Sequence, residues 1–354
     1  MPQAEGSVGG HVAQTGAPAA ALVPPPEPSG GARPRIGLML HADSGHEQNQ
    51  RQQIDALFDT IVQAERVGLD TVWLTEQHHQ THSPTPRPEL LIAHAAARTT
   101  RIEFGTAALT FGQRSPLEIA EIASSLALLA PRRLRLGVAR GKTAPPQPSA
   151  AADADPLGEP IDALADWLRG ETCCGRGEAP ARKLAPTPPP RDELPVYLAT
   201  RQASRAARAA AHGFGLMIGQ FWPSTAIDTL LAAYGQHSDS PPALMLSRGY
   251  CPRPNTPSTN AQIYAHIEAV RQRKPLPQNM PRGQRPIDRV TPESLTDFVL
   301  LGDESEQIER LRQLAAQGVT DLALNLMTDD PGEQADWLAA LGALKSRWAV
   351  EAAC

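Results

Sequence analysis

A chain of 354 residues, 41% hydrophobic and 20% charged, has the apolar content for one large core and the balance of a soluble globular protein. Its net charge of -5 offers no basic surface to nucleic acid, which argues against that class of function. No apolar run reaches the roughly 18 residues of a membrane helix, the first residues lack the basic start and apolar centre of a secretion signal, and Cys173, Cys174, Cys251 and Cys354 have no metal-ligand spacing, so a cytoplasmic protein with reduced thiols is expected.

Residues 1–33 are rich in Ala, Gly and Pro and almost free of large apolar side chains, so a disordered tail is expected there. Order is expected from Arg35-Ile36-Gly37-Leu38-Met39-Leu40, a buried-strand pattern, and residues 34–354 read as one domain. Ile54, Leu57, Phe58, Ile61 and Val62 follow at helical spacing, and Gly68 stands where a left-handed residue ends a helix. Further strands are predicted at 71–75, 102–109, 134–139, 195–199, 215–219, 243–249 and 320–326, with helices at 115–129, 203–212, 225–234 and 305–317. Eight strands alternating with helices favour a closed (β/α)8 TIM barrel with irregular insertions, although a doubly wound open sheet has the same alternation. Residues 143–160, 175–194 and 252–290 break the rhythm with Pro, Ala and Gly, and the third is expected to lie over the rim as a mobile cover.

Chemistry concentrates where strands end. Val72-Trp73-Leu74-Thr75 runs straight into Glu76-Gln77-His78-His79, and α/β enzymes present catalytic groups at such strand ends. The 102–109 and 134–139 strands likewise end in small or charged residues, at Gly105-Thr106-Ala107-Ala108 and at Ala139-Arg140-Gly141, so three strand ends converge. Glu76, His78, His79 and His82 are of ligand type, but adjacent histidines on a strand end point oppositely, and no metal is expected. Glu76 reads instead as a buried partner that orients a histidine or an amide. Arg140 offers a fork of donors suited to phosphate, and Thr200-Arg201-Gln202-Ala203-Ser204-Arg205 closes a strand and opens a helix, the geometry that holds an anion; ordinary N-capping by Thr200 or Ser204 is compatible with it. Aromatic supply is thin, and of Trp73, Phe104, Phe111, Phe221 and Trp222 the Phe221-Trp222 pair after the sixth strand is the expected substrate wall.

These segments, with Val196-Tyr197-Leu198-Ala199 and Gly213-Phe214-Gly215-Leu216-Met217, resemble the bacterial luciferase-like flavin monooxygenases over residues 34–220. The resemblance implies a TIM barrel that binds reduced FMN at its C-terminal rim, the flavin being supplied in trans by a separate reductase, and that uses O2 to form a flavin C4a-hydroperoxide. It places a cis peptide at Ala107-Ala108 beneath the flavin ring, where two small residues suit a flat ligand, and puts Arg140 at the phosphate; the helix-start geometry adds Thr200, Arg201, Ser204 and Arg205 there, in a stretch where the luciferase subunit is richer in acidic and hydroxyl residues. Gln77 stands where the luciferase subunit has its catalytic histidine. A neutral amide cannot act as general base, so proton transfer falls to His78 first, with His79 and His82 as alternatives. A homodimer through helices near the second and third strands is also implied.

Three functions compete. A two-component monooxygenase would oxygenate a small organic substrate by hydroxylation, epoxidation or Baeyer-Villiger insertion, and the absence of G-x-G-x-x-G after the first strand suits an enzyme that does not itself oxidise NAD(P)H. An F420-dependent oxidoreductase would transfer hydride without oxygen and could meet the acidic cofactor tail with Arg201, Arg205 and Lys142. A non-catalytic flavin-binding protein is the third, raised by Gln77.

Overall fold

The computed structural model describes residues 33–41, 49–78, 84–141, 158–170, 183–273 and 286–351. The expected tail lies outside these residues but for Arg33. In chain order the strands are β1 (Arg35–Leu40), β2 (Thr71–Leu74), β3 (Glu103–Thr106), β4 (Leu109–Thr110), β5 (Leu134–Ala139), β6 (Val196–Ala199), β7 (Gly215–Ile218), β8 (Leu244–Cys251), β9 (Val299–Leu301) and β10 (Asp321–Leu326). The helices are α1 (Gln50–Arg66), α2 (Pro88–Ala96), α3 (Pro116–Leu129), α4 (Gly158–Leu168), α5 (Ala203–Ala211), α6 (Ser224–Gly235), α7 (Pro257–Arg273), α8 (Leu295–Phe298), α9 (Glu304–Ala316) and α10 (Pro331–Glu351). Every strand pairing is parallel, and β10 pairs with both β1 and β8, so the sheet closes into an eight-stave barrel in which β3 and β4 share one stave. Closure decides against the open sheet.

Local sequence explains the helix starts. Asn49, Ser115 and Asp303 each accept from the N–H three residues on, and the Gln52, Glu118 and Glu306 side chains return the bond, so three helices open on capping boxes. Gly68, at φ +84°, takes the left-handed conformation just past α1. Leu57, Phe58, Ile61 and Ala64 form the buried stripe of α1 against the sheet.

Inside the barrel, odd-numbered positions meet: Trp73, Tyr197, Met217, Met245 and Ala323 pack together, with Met39, Ala107, Ala139 and Ala199 against them. Space for these side chains comes from glycine. A Cβ at Gly105 would lie 2.0 Å from Trp73 Cε3, and one at Gly137 2.4 Å from Met217 Cε. The N-terminal end is sealed by charge. Arg35 binds Asp321 at 2.9 and 3.3 Å, Arg135 binds Glu103 and donates to Tyr197 Oη at 2.7 Å, and that hydroxyl donates to Asp321 at 2.9 Å. Burial would raise the Asp321 carboxyl, but the Arg135 and Arg35 guanidiniums outweigh it and hold it at about 2.

Two differences from expectation have physical causes. The strand read over 102–109 is broken: Gly105 pairs with Arg135, but Leu109 pairs with Val138, so the register slips by one residue across a bulge. Thr106 fills the gap, its Oγ1 donating to Gly137 O at 2.8 Å and accepting from Gly137 N at 2.9 Å. The stretch 252–290, read as irregular, contains the 17-residue helix α7, which has Pro257 at its start where a missing N–H does no harm. Residues 274–285 within it lie outside the described residues.

Candidate active site

The end of β2 continues beside its neighbour, with Thr75 N donating to Leu40 O at 3.1 Å, and Gln77 N is tied to Thr85 O at 3.0 Å. Between these anchors the Glu76 side chain is fully buried. Its Oε1 accepts from His78 Nε2 at 2.8 Å and from Thr110 Oγ1 at 2.6 Å, and its Oε2 is held by Arg114 Nη1. Arg114 continues to Glu89 on α2 at 2.9 and 3.1 Å. A carboxylate can only accept, so His78 presents Nε2–H to it and one tautomer is selected. With 23% of its side chain exposed, His78 is oriented from below yet open to the mouth of the barrel. Thr110 reaches this cluster because β4 pairs with the end of β5, Thr110 opposite Ala139.

The floor of the mouth is made of small residues. The Ala107–Ala108 peptide is cis. Ala139 is paired with Ala199 and that residue with Met217, and together with Ala107 and Ala108 they cover Trp73, Tyr197 and Met217 from above. The methyl groups lie over Trp73 and Tyr197, whose rings meet edge to face at 87°, and the partial exposure of Ala107, Ala139 and Ala199 makes them the floor of a bowl.

One side of the bowl is basic. Arg140 is exposed at the end of β5. Helix α5 opens at Gln202, whose side chain makes no capping bond, so the expected capping by Thr200 or Ser204 is corrected: Thr200 Oγ1 accepts from Gln202 N at 3.1 Å, ahead of the helix, and Ser204 lies exposed in the first turn. Arg205 is buried in that turn, and the Arg201 guanidinium sits 5.3 Å from the Trp222 ring. Phe221 and Trp222 are half-buried in the turn after β7, with Phe221 6.3 Å from Phe298. Trp73 lies under the floor, and Phe104 packs outside the barrel beneath Arg133.

The sequence reading missed three mouth or support residues. His41, one residue past β1, meets Asn325 Oδ1 through Nε2 at 2.8 Å, and Asn325 Nδ2 donates to Ser247 Oγ at 2.9 Å. Arg114 is the third. The rule that flagged Glu76 and Arg140, a polar group just beyond an apolar strand, applies equally to His41; Asn325 is hidden inside its strand. Gln77 is placed by its backbone, and His79, His82 and Lys142 lie outside the described residues. Among the described residues no three His, Cys, Asp or Glu side chains could hold a metal, and no helix is long and apolar enough to cross a membrane. Cys251 is buried, and burial pushes its thiol up to about 11.

Comparison with known proteins adds the following. A family model described as luciferase-like monooxygenase matches residues 35–321. The oxygenase component of a flavin-dependent trigonelline monooxygenase from Acinetobacter baylyi is 25% identical over 194 residues, 52% of this chain and 54% of that protein. The chain spans about half the length of the curated relatives it matches. Among solved structures, the oxygenating constituent of 3,6-diketocamphane monooxygenase from Pseudomonas putida, a type II Baeyer-Villiger monooxygenase in complex with FMN, aligns with a TM-score of 0.63 at 18% identity, covering 88% of this chain and 97% of that one. An F420-dependent secondary alcohol dehydrogenase aligns with a TM-score of 0.67 at 16% identity, covering 88% and 98%. At these identities the structural likeness is one of fold.

Proposed function

The chain belongs to the luciferase-like monooxygenase family, and from that premise we propose that it is the oxygenase component of a two-component flavin-dependent monooxygenase acting on a small organic substrate. The observation that carries this reading is the mouth itself: a methyl-lined floor at Ala107, Ala108, Ala139 and Ala199 beside a helix N-terminus that lacks a side-chain cap. A flat ring fits the first and a phosphate the second, with the Ser204 hydroxyl and the Arg140, Arg201 and Arg205 guanidiniums as its partners. Reduced FMN, delivered by a separate reductase, would supply the two electrons that let one oxygen atom of O2 enter the substrate and the other leave as water.

The residues of the chain do the rest. Glu76 holds His78 with Nε2–H buried, so that His78 can give or take a proton at the mouth while its tautomer is fixed from below. Gln77, at the neighbouring position, offers an amide and not a base; His79 adjoins them in sequence. Phe221 and Trp222 wall the side toward α6 and exclude water from the reacting centre. Among the described residues, the stretch 252–273 leaves the rim at the end of β8 and carries α7, which is the part of the chain placed to stand over the substrate side. A homodimer is supported by a groove of about 420 Å³ between α2 and α3, where Leu90, Ala93, Ile122 and Leu129 lie among the charged side chains of Arg87, Glu118 and Glu121. Leu90 and Leu129 are 67% and 64% exposed, an uncovered patch of the kind that marks an interface.

Anaerobic titration with reduced FMN and with F420 tests the cofactor: tighter binding of F420 would overturn this reading in favour of hydride transfer, which the fold likeness to the F420-dependent alcohol dehydrogenase makes the second candidate. Replacing His78 with Ala should abolish O2-coupled substrate oxidation and leave flavin affinity within a few-fold; unchanged turnover would remove His78 from the mechanism, and no turnover in the parent chain with any reductase would favour a flavin-binding protein.

A further inference from the structure

Strand β8 changes neighbours along its length. Leu244 to Leu246 pair with β7, while Gly249 to Cys251 pair with β9, so Ser247 and Arg248 stand where β7 has left the sheet and β9 has not begun. The chain leaving β7 carries two carbonyls, of Gln220 and Trp222, past its last strand pairing at Ile218. Arg248 supplies their donors. Its Nη1 donates to Gln220 O at 3.1 Å and to Ser247 O at 2.9 Å, and its Nη2 donates to Trp222 O at 3.0 Å.

This arginine is an unusual choice for a fold to make. It is 2% exposed, its hydrogen-bond acceptors are all main-chain carbonyls, and its Nε has no hydrogen-bond partner. Burial, with repulsion from Arg310 added, outweighs the attraction of Asp297 and draws its guanidinium below the ordinary arginine range. A buried cation with no carboxylate in hydrogen-bonding contact is costly, and neutral donors could satisfy carbonyls more cheaply. What a guanidinium alone provides is a planar pair of Nη groups at fixed spacing, able to reach two carbonyls two residues apart at once.

The held turn carries Gln220 and the two aromatic residues of the mouth, Phe221 and Trp222. Gln220 Nε2 lies 3.4 Å from Met327 Sδ, Phe221 packs toward Phe298, and the Trp222 ring lies 5.3 Å from the Arg201 guanidinium. We propose that Arg248 is a positioning residue of the active site, fixing the 219–223 turn so that Trp222 both walls the mouth and holds Arg201 on the side where an anion binds. The link to cofactor rests on the reading of the mouth as a flavin site; the link to Trp222 does not.

The test uses the full chain with Arg248→Met and Arg248→Lys, each also made with Trp222→Phe. Subtracting the paired spectra isolates the emission of Trp222 from that of the four other tryptophans. In Arg248→Met, acrylamide quenching of Trp222 should rise severalfold and FMN affinity should fall about tenfold, the weight of one or two hydrogen bonds, with far-UV circular dichroism unchanged. Arg248→Lys, which can serve only part of the donor set, should fall between Arg248→Met and the parent in both readouts. Unchanged Trp222 quenching in a folded Arg248→Met protein overturns the proposal, as does raised quenching with unchanged FMN affinity, which would leave Arg248 a purely structural clamp. If Arg248→Met does not fold, parental values of both readouts in Arg248→Lys overturn it instead. A parent chain that binds no FMN removes the flavin reading, and the quenching contrast then decides alone whether Arg248 fixes the turn.

Discussion

Changing Glu76 to Gln alters one atom and should reverse the proton on His78. Oε1 of Glu76 accepts two hydrogen bonds, from His78 at 2.8 Å and Thr110 at 2.6 Å, and Oε2 accepts from Arg114. An amide in this place has one acceptor and one donor end. With its oxygen toward His78, its NH2 faces the buried Arg114 guanidinium, two donors in contact; with its oxygen toward Arg114, its NH2 faces His78 and Thr110. The second arrangement is the less costly, because Thr110 can rotate its hydroxyl and His78 can move its proton to Nδ1 and accept through Nε2. Arg114 keeps Glu89, so the loss is that of weakened charge-assisted bonds, about 2 kcal/mol, read as a lower urea midpoint. Turnover should suffer more, by roughly a thousandfold, since a general acid–base histidine in the wrong tautomer has its proton on the wrong side. Nitrogen-15 NMR of the labelled imidazole reports the tautomer directly. A Glu76→Gln protein whose His78 still carries its proton on Nε2, with turnover within about threefold of the parent, would refute the assigned role of Glu76.

Other expectations follow from the fold. The Asp321 carboxyl, held at about 2 against an ordinary 3.8, contributes about 2 kcal/mol that is complete above about pH 4 and is lost as pH falls through its folded value; acid unfolding of Asp321→Asn should lack that component. Gly105→Ala places a Cβ 2.0 Å from Trp73 Cε3, and the overpacking should lower the thermal midpoint by about 5 °C, whereas Gly235→Ala, with open space at its Cβ, should not. Leu129→Glu should convert a dimer into monomers by light scattering; a wild-type chain of single-protomer mass would remove the dimer proposal.

Most of the barrel was legible because strand and helix announce themselves by period. Seven of the eight staves coincide with apolar runs between turn residues, and helices α3, α5, α6 and α9 begin within a residue of where their patterns start. The eighth was read as one strand because a bulge inserts a residue without changing composition; nothing in Gly105-Thr106-Ala107-Ala108 signals that Thr106 will take over a backbone role. Helices α2, α4, α7, α8 and α10 escape the periodicity, α8 because it is a single turn and three others because they start at proline, which reads as a breaker although it is tolerated in a first turn. At the mouth, Glu76 and His78 were legible from one strand end. Their support was not: Thr110, Arg114 and Glu89 lie 34, 38 and 13 residues away in sequence from Glu76, and it is the docking of the β3–β4 stave and α2 beside β2 that brings them to it. Arg248 was invisible for a different reason, since an arginine inside an apolar strand looks like any outward-facing charge until the sheet is seen to leave a gap there.

The charged seal at the foot of the barrel also sets a timetable. Arg35 and its counter-ion Asp321 are 286 residues apart, and the first stave pairs with the last. During synthesis at about 5–20 residues per second, Arg35 waits roughly 15 to 60 s for its carboxylate to be made. Until then β1 has one open edge and Arg135 lacks the same partner. A nascent chain therefore cannot complete its core stave by stave as a repeat protein can. Any truncation ahead of Asp321 would remove the carboxylate that Arg35 and Arg135 share, leave Arg135 with Glu103 and Tyr197 alone, and take away the stave that closes the barrel, so the last tenth of the chain decides whether the first nine-tenths can stay folded.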